Sequence, residues 1–404
     1  MRFCMITTFY PPYHFGGDAI FVRALARALV AGGHEVDVVH CENAYRLRHD
    51  GAPVMKPESD GVVVHRLRSG LGWLSPVITQ QTGRPGLKAS RLRAVLEQDF
   101  DVVNFHNISL IGGPGVLGMS RAPVNLYTLH EHWLLCPTHT FWKNRAQACD
   151  RPECLRCSFH SGIPPQLWRY TGLIGRSLEK VDALLSPSQY TAARHRMAGL
   201  SPLIHVLPLF TDLDLERVDP YVPPSRPCFL FVGRVTASKG IVPLLEEFST
   251  LPDYDLLIVG DGDLRPELQL KYARHPHIRF LGALQHRELV PVYRKATALV
   301  LPSLAPEVFP LSILEAFACG TPAIVHHSGG SREAVDTTGG GMVYESQAEL
   351  RLALRELAVK ADLRHALGQR ARAGHEQHYS QERYLDRYMD LIETIAEKKR
   401  RLFH

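Results

Sequence analysis

The sequence predicts an α/β protein of two doubly wound domains, each a parallel sheet covered by helices. Three observations carry this expectation. The chain has 404 residues, more than one hydrophobic core ordinarily organises. Short apolar runs alternate with amphipathic stretches, the rhythm of βαβ units covered on both faces. That rhythm stops at a proline-rich stretch and restarts beyond it.

In the first half, residues 2–8 are strand-like, and residues 18–30 have helical spacing through Ile20, Phe21, Leu25, Ala28, Leu29 and Val30. That helix stops at Ala31-Gly32-Gly33, and residues 35–40 are strand-like again. Further strands are predicted at 62–66, 102–105, 124–129, 183–186 and 204–207. The second series runs strand 229–232, helix 241–248, strand 256–259, helix 267–273, then strands 278–281, 298–301 and 323–325. Residues 208–227, ending Pro223-Pro224-Ser225-Arg226-Pro227, are the predicted hinge. The domains are therefore expected at 1–207 and 228–375, with a helical segment at 376–404 that crosses back to the first. Ligands of such sheets bind at the carboxyl ends of the strands, so a cleft between facing domains is the expected site.

Composition narrows the class. Hydrophobic residues make up 45% and charged residues 22%, which excludes disordered and fibrous proteins. Residues 1–8 lack the basic leader and small-residue cleavage site of a signal peptide. No run approaches the ~18 apolar residues of a membrane span. A cytoplasmic protein is expected. The tail Lys398-Lys399-Arg400-Arg401-Leu402-Phe403 reads as a solvated helix end, or as a weak peripheral contact with an anionic membrane face. A net charge of +5 does not suggest nucleic acid, but it suits diphosphate substrates. Cys4, Cys41, Cys228 and Cys319 are scattered among apolar or small neighbours and read as reduced core residues.

The strongest chemical signal runs from Pro306 to Pro322. A strand ends at Leu301, a loop carries Glu307, and a helix starts near Pro310, where proline suits the first turn. The free amides of Leu311 and Ser312 would form an anion-binding helix end. This spacing would hold a diphosphate at the helix end, a sugar near Glu307 and a ribose diol near Glu315, since a carboxylate accepts well from paired hydroxyls. A second signal is Gly233-Arg234-Val235-Thr236-Ala237-Ser238-Lys239-Gly240 after a strand. Its two cations can neutralise charge growing on a leaving diphosphate.

Glu307 and Glu315, in a Pro-Glu…Phe…Leu…Glu-Ala…Ala-Cys-Gly-Thr-Pro frame, resemble the donor motif of the GT4 family of retaining glycosyltransferases. The likeness covers nearly the whole chain. It implies the GT-B fold, a nucleoside diphosphate sugar as co-substrate, and a hydroxyl acceptor. Phe309 belongs to the same frame. The family usually has Gly where Val308 stands here, and often Gly where Pro310 stands. By the same resemblance Arg234 and Lys239 neutralise the diphosphate. Gly260 and Gly262 correspond to a glycine turn beside the nucleotide, and Leu281 lies in the segment whose backbone meets the base. In the first domain, Gly16 and Gly17 let backbone approach a phosphate or sugar closely. The resemblance makes His130 a contact to the donor sugar and His106 a second candidate.

Cys136, Cys149, Cys154 and Cys157 lie in an insert at about 133–168. Four thiolates so spaced match a tetrahedral zinc site; free or redox-labile thiols are the competing reading. Similar inserts occur in some bacterial members of the family. The insert also holds Trp133, Phe141, Trp142 and Trp168, which would either stack on sugar or be buried. No protein nucleophile is identifiable, and the resemblance implies front-face transfer with retention and no metal or other cofactor needed for catalysis. Alternatives are a sugar-nucleotide 2-epimerase on the same fold, a non-catalytic sugar-nucleotide-binding protein, and a weaker NAD-dependent oxidoreductase, for which neither half has a full Gly-x-Gly-x-x-Gly.

Overall fold

A computed structural model describes residues 1–47, 49, 60–200, 202–215 and 226–402. The chain divides into two compact units. One contains Met1–His139, Glu153–Leu209 and Gln381–His404; the other contains Thr140–Pro152 and Phe210–Ser380. The boundary at Leu209 falls at the start of the expected hinge, of which residues 216–225 lie outside the described residues, as does Phe403.

The first unit is built on seven parallel strands: β1 Arg2–Ile6, β2 Glu35–Cys41, β3 Val63–Leu67, β4 Val102–Phe105, β5 Val124–Thr128, and, after a short hairpin of β6 Trp142–Lys143 with β7 Gln147–Ala148 that belongs to the other unit, β8 Ala183–Ser186 and β9 Leu203–Val206. Their order is β3-β2-β1-β4-β5-β8-β9. Every residue of β4, β5 and β8 is buried, because helices cover both faces of a parallel sheet. Ile6 pairs with Val39 on one side and Phe105 on the other, so the strand order reverses between β1 and β4. The helix Gly17–Ala31 packs Phe21, Val22, Leu25 and Leu29 inward at helical spacing. The last helix, Gln381–Leu402, joins this unit through Tyr384 and Tyr388: Phe21 meets Tyr384, and Asn104 donates to the Tyr388 hydroxyl at 3.1 Å. Lys399 of the basic tail is spent on Asp182, at 2.6 Å.

The second unit has six parallel strands: β10 Cys228–Val232, β11 Asp255–Val259, β12 Ile278–Gly282, β13 Ala298–Leu301, β14 Ala323–His326 and β15 Gly341–Tyr344. Their order is β12-β11-β10-β13-β14-β15, again reversing beside the first strand of the series. Its core is formed by Phe229, Phe231, Leu244, Leu245, Phe248, Ile258 and Val300 with neighbours on the covering helices. Strand β15 was not anticipated: it is four residues long and follows two glycines, so its apolar pattern is brief. Among the described residues no helix is long and apolar enough to cross a membrane.

Candidate functional site

In the second unit the loops that leave β10 and β13 meet at the point where strand order reverses, the place where open α/β sheets bind ligands. The loop after β10 carries Arg234 and Lys239; the loop after β13 carries Ser303 and Glu307. They are packed backbone to backbone. Leu304 and Ala305 both donate to the Ser238 carbonyl at 3.0 Å. Gly240 has φ +68, and a Cβ there would lie 1.8 Å from the Pro302 carbonyl oxygen. Two more glycines close the floor: a Cβ on Gly260 would fall 1.9 Å from the Gly233 oxygen, and one on Gly262 2.5 Å from the Val235 oxygen. Gly260 also sits at φ +131, a conformation that side chains rarely adopt. Gly233, Gly260 and Gly262 are thus gathered by close approach of main chains.

Glu307 is the electrostatic centre of this arrangement. Its Oε1 accepts from both Lys239 Nζ and Ser303 Oγ, the latter at 2.5 Å. Burial pushes its carboxyl up. The cations Lys239 and Arg234 and the Ser303 bond outweigh that effect and hold it below its usual value. Oε2 has no hydrogen bond among the described residues and can accept one from a ligand. Arg234 is exposed and makes no ion pair among the described residues, so an anion could take its full charge. Ser303 was missed in the sequence, although a polar residue two positions past a strand end is the signal that could have found it.

Helix Leu311–Ala318 starts just beyond. Pro310 is its cap, in extended conformation with φ −76 and ψ 128, immediately before the first helical residue. Ile313 donates back to the Pro310 carbonyl, and the amides of Leu311 and Ser312 lead the helix end. The loop path does not suffer from Val308 in the family's glycine position. Close approach is managed from the other side, by Gly329 and Gly330, where a Cβ would meet Glu307 at 2.4 Å and the Val308 carbonyl oxygen at 2.1 Å. Phe309 is buried with its ring against Tyr379, so it shapes the loop from beneath. Glu315 is also buried, and its Oε2 accepts from the Tyr293 hydroxyl at 2.6 Å. Leu281, on β12, is 39% exposed, with its main chain beside the glycine turn through the Gly260 to Gly282 bond of 2.8 Å.

In the first unit, Gly16 and Gly17 cap and open helix Gly17–Ala31, again at a reversal of strand order. His106 follows β4 and His130 follows β5. His106 Nδ1 lies 2.9 Å from His130 Nε2, and the rings stack. His106 is 1% exposed and lies behind His130 in this pair. Burial, reinforced by His130, pushes the His106 imidazole well down. Burial also lowers His130 to about 4, against a partial counter-effect of Asp18. Both rings are therefore neutral near pH 7, and the shared bond needs a donor on one and an acceptor on the other. His130 Nδ1 is buried without a hydrogen-bond partner among the described residues.

The zinc site expected from Cys136, Cys149, Cys154 and Cys157 is not found: among the described residues no three His, Cys, Asp or Glu are placed to hold a metal ion. Cys154 opens the helix Cys154–His160, and its thiol is raised by burial and by neighbouring Cys136. Trp133, Phe141 and Trp168 are buried; Trp133 and Trp168 pack at 5.8 Å and Trp168 Nε1 donates to the Gln80 carbonyl. These rings serve packing and are not offered to a sugar.

Comparison with known proteins agrees with this geometry. Residues 15–215 match the family model Glycosyltransferase Family 4, and residues 214–374 match Glycosyl transferases group 1. The D-inositol 3-phosphate glycosyltransferase of Mycolicibacterium smegmatis is 30% identical over 345 residues, covering 81% of this chain and 75% of the relative. Sucrose-phosphate synthase from Thermosynechococcus elongatus superimposes with a TM-score of 0.74 at 21% identity, over 100% of this chain and 99% of that one. Anabaena HepE in complex with UDP-glucose gives a TM-score of 0.66 at 16% identity, over 100% and 99% of the two chains. The chain belongs to the family 4 glycosyltransferases and has the GT-B fold.

Proposed function

We propose that the protein transfers a sugar, with retained anomeric configuration, from a nucleoside diphosphate sugar to an acceptor hydroxyl. The observation that carries this reading is the exposed Arg234, without an ion pair among the described residues, beside the Lys239–Glu307 pair and in front of the helix that starts at Leu311. The diphosphate would lie against Arg234, Lys239 and the amides of Leu311 and Ser312, with Gly233, Gly260 and Gly262 giving it room. Glu307 Oε2 would accept from a sugar hydroxyl, Glu315 would hold the ribose, and the main chain at Leu281 would meet the base. In the other unit His130, with Gly16 and Gly17, would contact the sugar, and that unit would bind the acceptor.

In the reaction the bond from the anomeric carbon to the diphosphate oxygen breaks. A bond to the acceptor oxygen forms on the same face, and the acceptor proton passes to the departing phosphate oxygen. Charge growing on that oxygen meets two cations and a helix end already in place, the preorganised stabilisation a divalent ion would otherwise supply. Turnover should therefore be insensitive to a chelator. The crystallised UDP-glucose complex of HepE and the inositol phosphate acceptor named for the mycobacterial relative make UDP-glucose and phosphorylated polyols the first compounds to try. The test is nucleoside diphosphate release with and without acceptor, with the product linkage read by NMR. Acceptor-dependent release with a retained linkage supports the reading. Altered nucleotide sugar without acceptor would replace it with an isomerase, and an inverted linkage would overturn the mechanism.

A further inference from the structure

We infer that Tyr293 is a positioning residue for the donor nucleotide, acting by holding the Glu315 carboxylate in the orientation that receives the ribose diol. The inference rests on the proposed role of Glu315. Tyr293 lies on the helix His286–Lys295, is fully buried, and donates its hydroxyl to Glu315 Oε2 at 2.6 Å. That distance is in the range of charge-assisted O–H···O⁻ bonds, roughly twice as strong as neutral ones. A buried phenol must find an acceptor, and a buried carboxylate must find donors. Burial and the adjacent carboxylate push the phenol well above its ordinary value, so it keeps the proton it donates.

Two further features make this more than a packing contact. Glu315 is four residues after Leu311, hence on the same helix face one turn further in, and helical side chains lean toward the N-terminus. The same helix is tied to Tyr293 a second time, beyond its C-terminus, where Thr321 Oγ1 donates to the Tyr293 carbonyl at 2.8 Å. One residue therefore anchors the donor helix at its carboxylate and at its exit.

The experiment is a calorimetric titration of the full chain with UDP and GDP and with their 2′,3′-dideoxy forms. It compares wild type with Tyr293→Phe, Glu315→Gln and the double variant. For whichever nucleotide binds, Tyr293→Phe should weaken affinity roughly 10–150-fold, equivalent to one hydrogen bond to a charged group. The double variant should be no weaker than Glu315→Gln alone, and the Tyr293→Phe penalty should vanish with the dideoxy nucleotide. Wild-type affinity in Tyr293→Phe, or an equal penalty with the dideoxy form, would overturn the inference while leaving Glu315 in place. Unchanged affinity in Glu315→Gln would remove the ribose assignment and the inference with it. If Tyr293→Phe does not fold, 3-fluorotyrosine at 293 keeps ring and hydroxyl with a more acidic phenol. It should alter the ratio of diol to dideoxy affinity, and an unaltered ratio would overturn the inference.

Discussion

Glu307 keeps its charge where burial alone would neutralise it. Lys239, Ser303 and Arg234 supply the compensation, so the carboxylate persists through neutral pH and Oε2 remains an acceptor. In Lys239→Ala the loss falls on the transition state more than on folding. Turnover should drop by roughly 10²–10³-fold, the scale of one preorganised electrostatic contact, well beyond what the accompanying loss of stability explains. Wild-type turnover would remove Lys239 from the site. His130 gives a different expectation. Held at about 4 by burial, it stays neutral from pH 5.5 to 8, so its titration should put no inflection in the rate over that range. A rate profile with an inflection near 6.5 that disappears in His130→Gln would contradict this.

At the scale of elements, the glycine-walled strand ends make a sharp prediction. Gly260→Ala places a Cβ 1.9 Å from a carbonyl oxygen at φ +131, and should cost at least about 3 kcal/mol of stability. Gly199→Ala shares the left-handed conformation at φ +70 but meets nothing within 4 Å, so it should cost only about 1 kcal/mol. Denaturant unfolding of the two variants measures the difference. These elements were legible in the sequence because short apolar runs alternate with amphipathic stretches. Strands β4, β8 and β13 were placed to the residue. The Glu307 to Glu315 segment was legible because its spacing joins a strand end, a loop and a helix start. Other features depended on contacts between distant residues. Nothing near position 293 indicates that its hydroxyl meets a residue 22 positions away, and nothing near position 106 indicates that His106 is screened behind His130. For the insert, cysteine spacing alone does not say how the sulfurs are arranged in space.

Across the whole molecule, buried and half-buried histidines make acid a common threat to both units. His40 in the first and His375 in the second are each pushed by burial to about 4. An unfolded chain takes up these protons near 6.5, whereas the folded chain resists until about 4. Between those values the unfolded state binds more protons, so stability falls as pH drops through that window. The melting temperature should decline from pH 6.5 to 4, and His375→Gln should lessen the decline; equal declines would exclude His375 as a contributor. The whole-molecule claim is that a donor nucleotide sugar is held by the loops of β10 and β13 and the helix after them. The most direct test is a thermal-shift screen of nucleotide sugars on wild type and on the Arg234→Ala/Lys239→Ala double variant. At saturating concentration one class of donor should raise the wild-type melting temperature by several degrees and leave the double variant near its unliganded value. No shift with any nucleotide sugar, or the same shift in both proteins, would contradict the account.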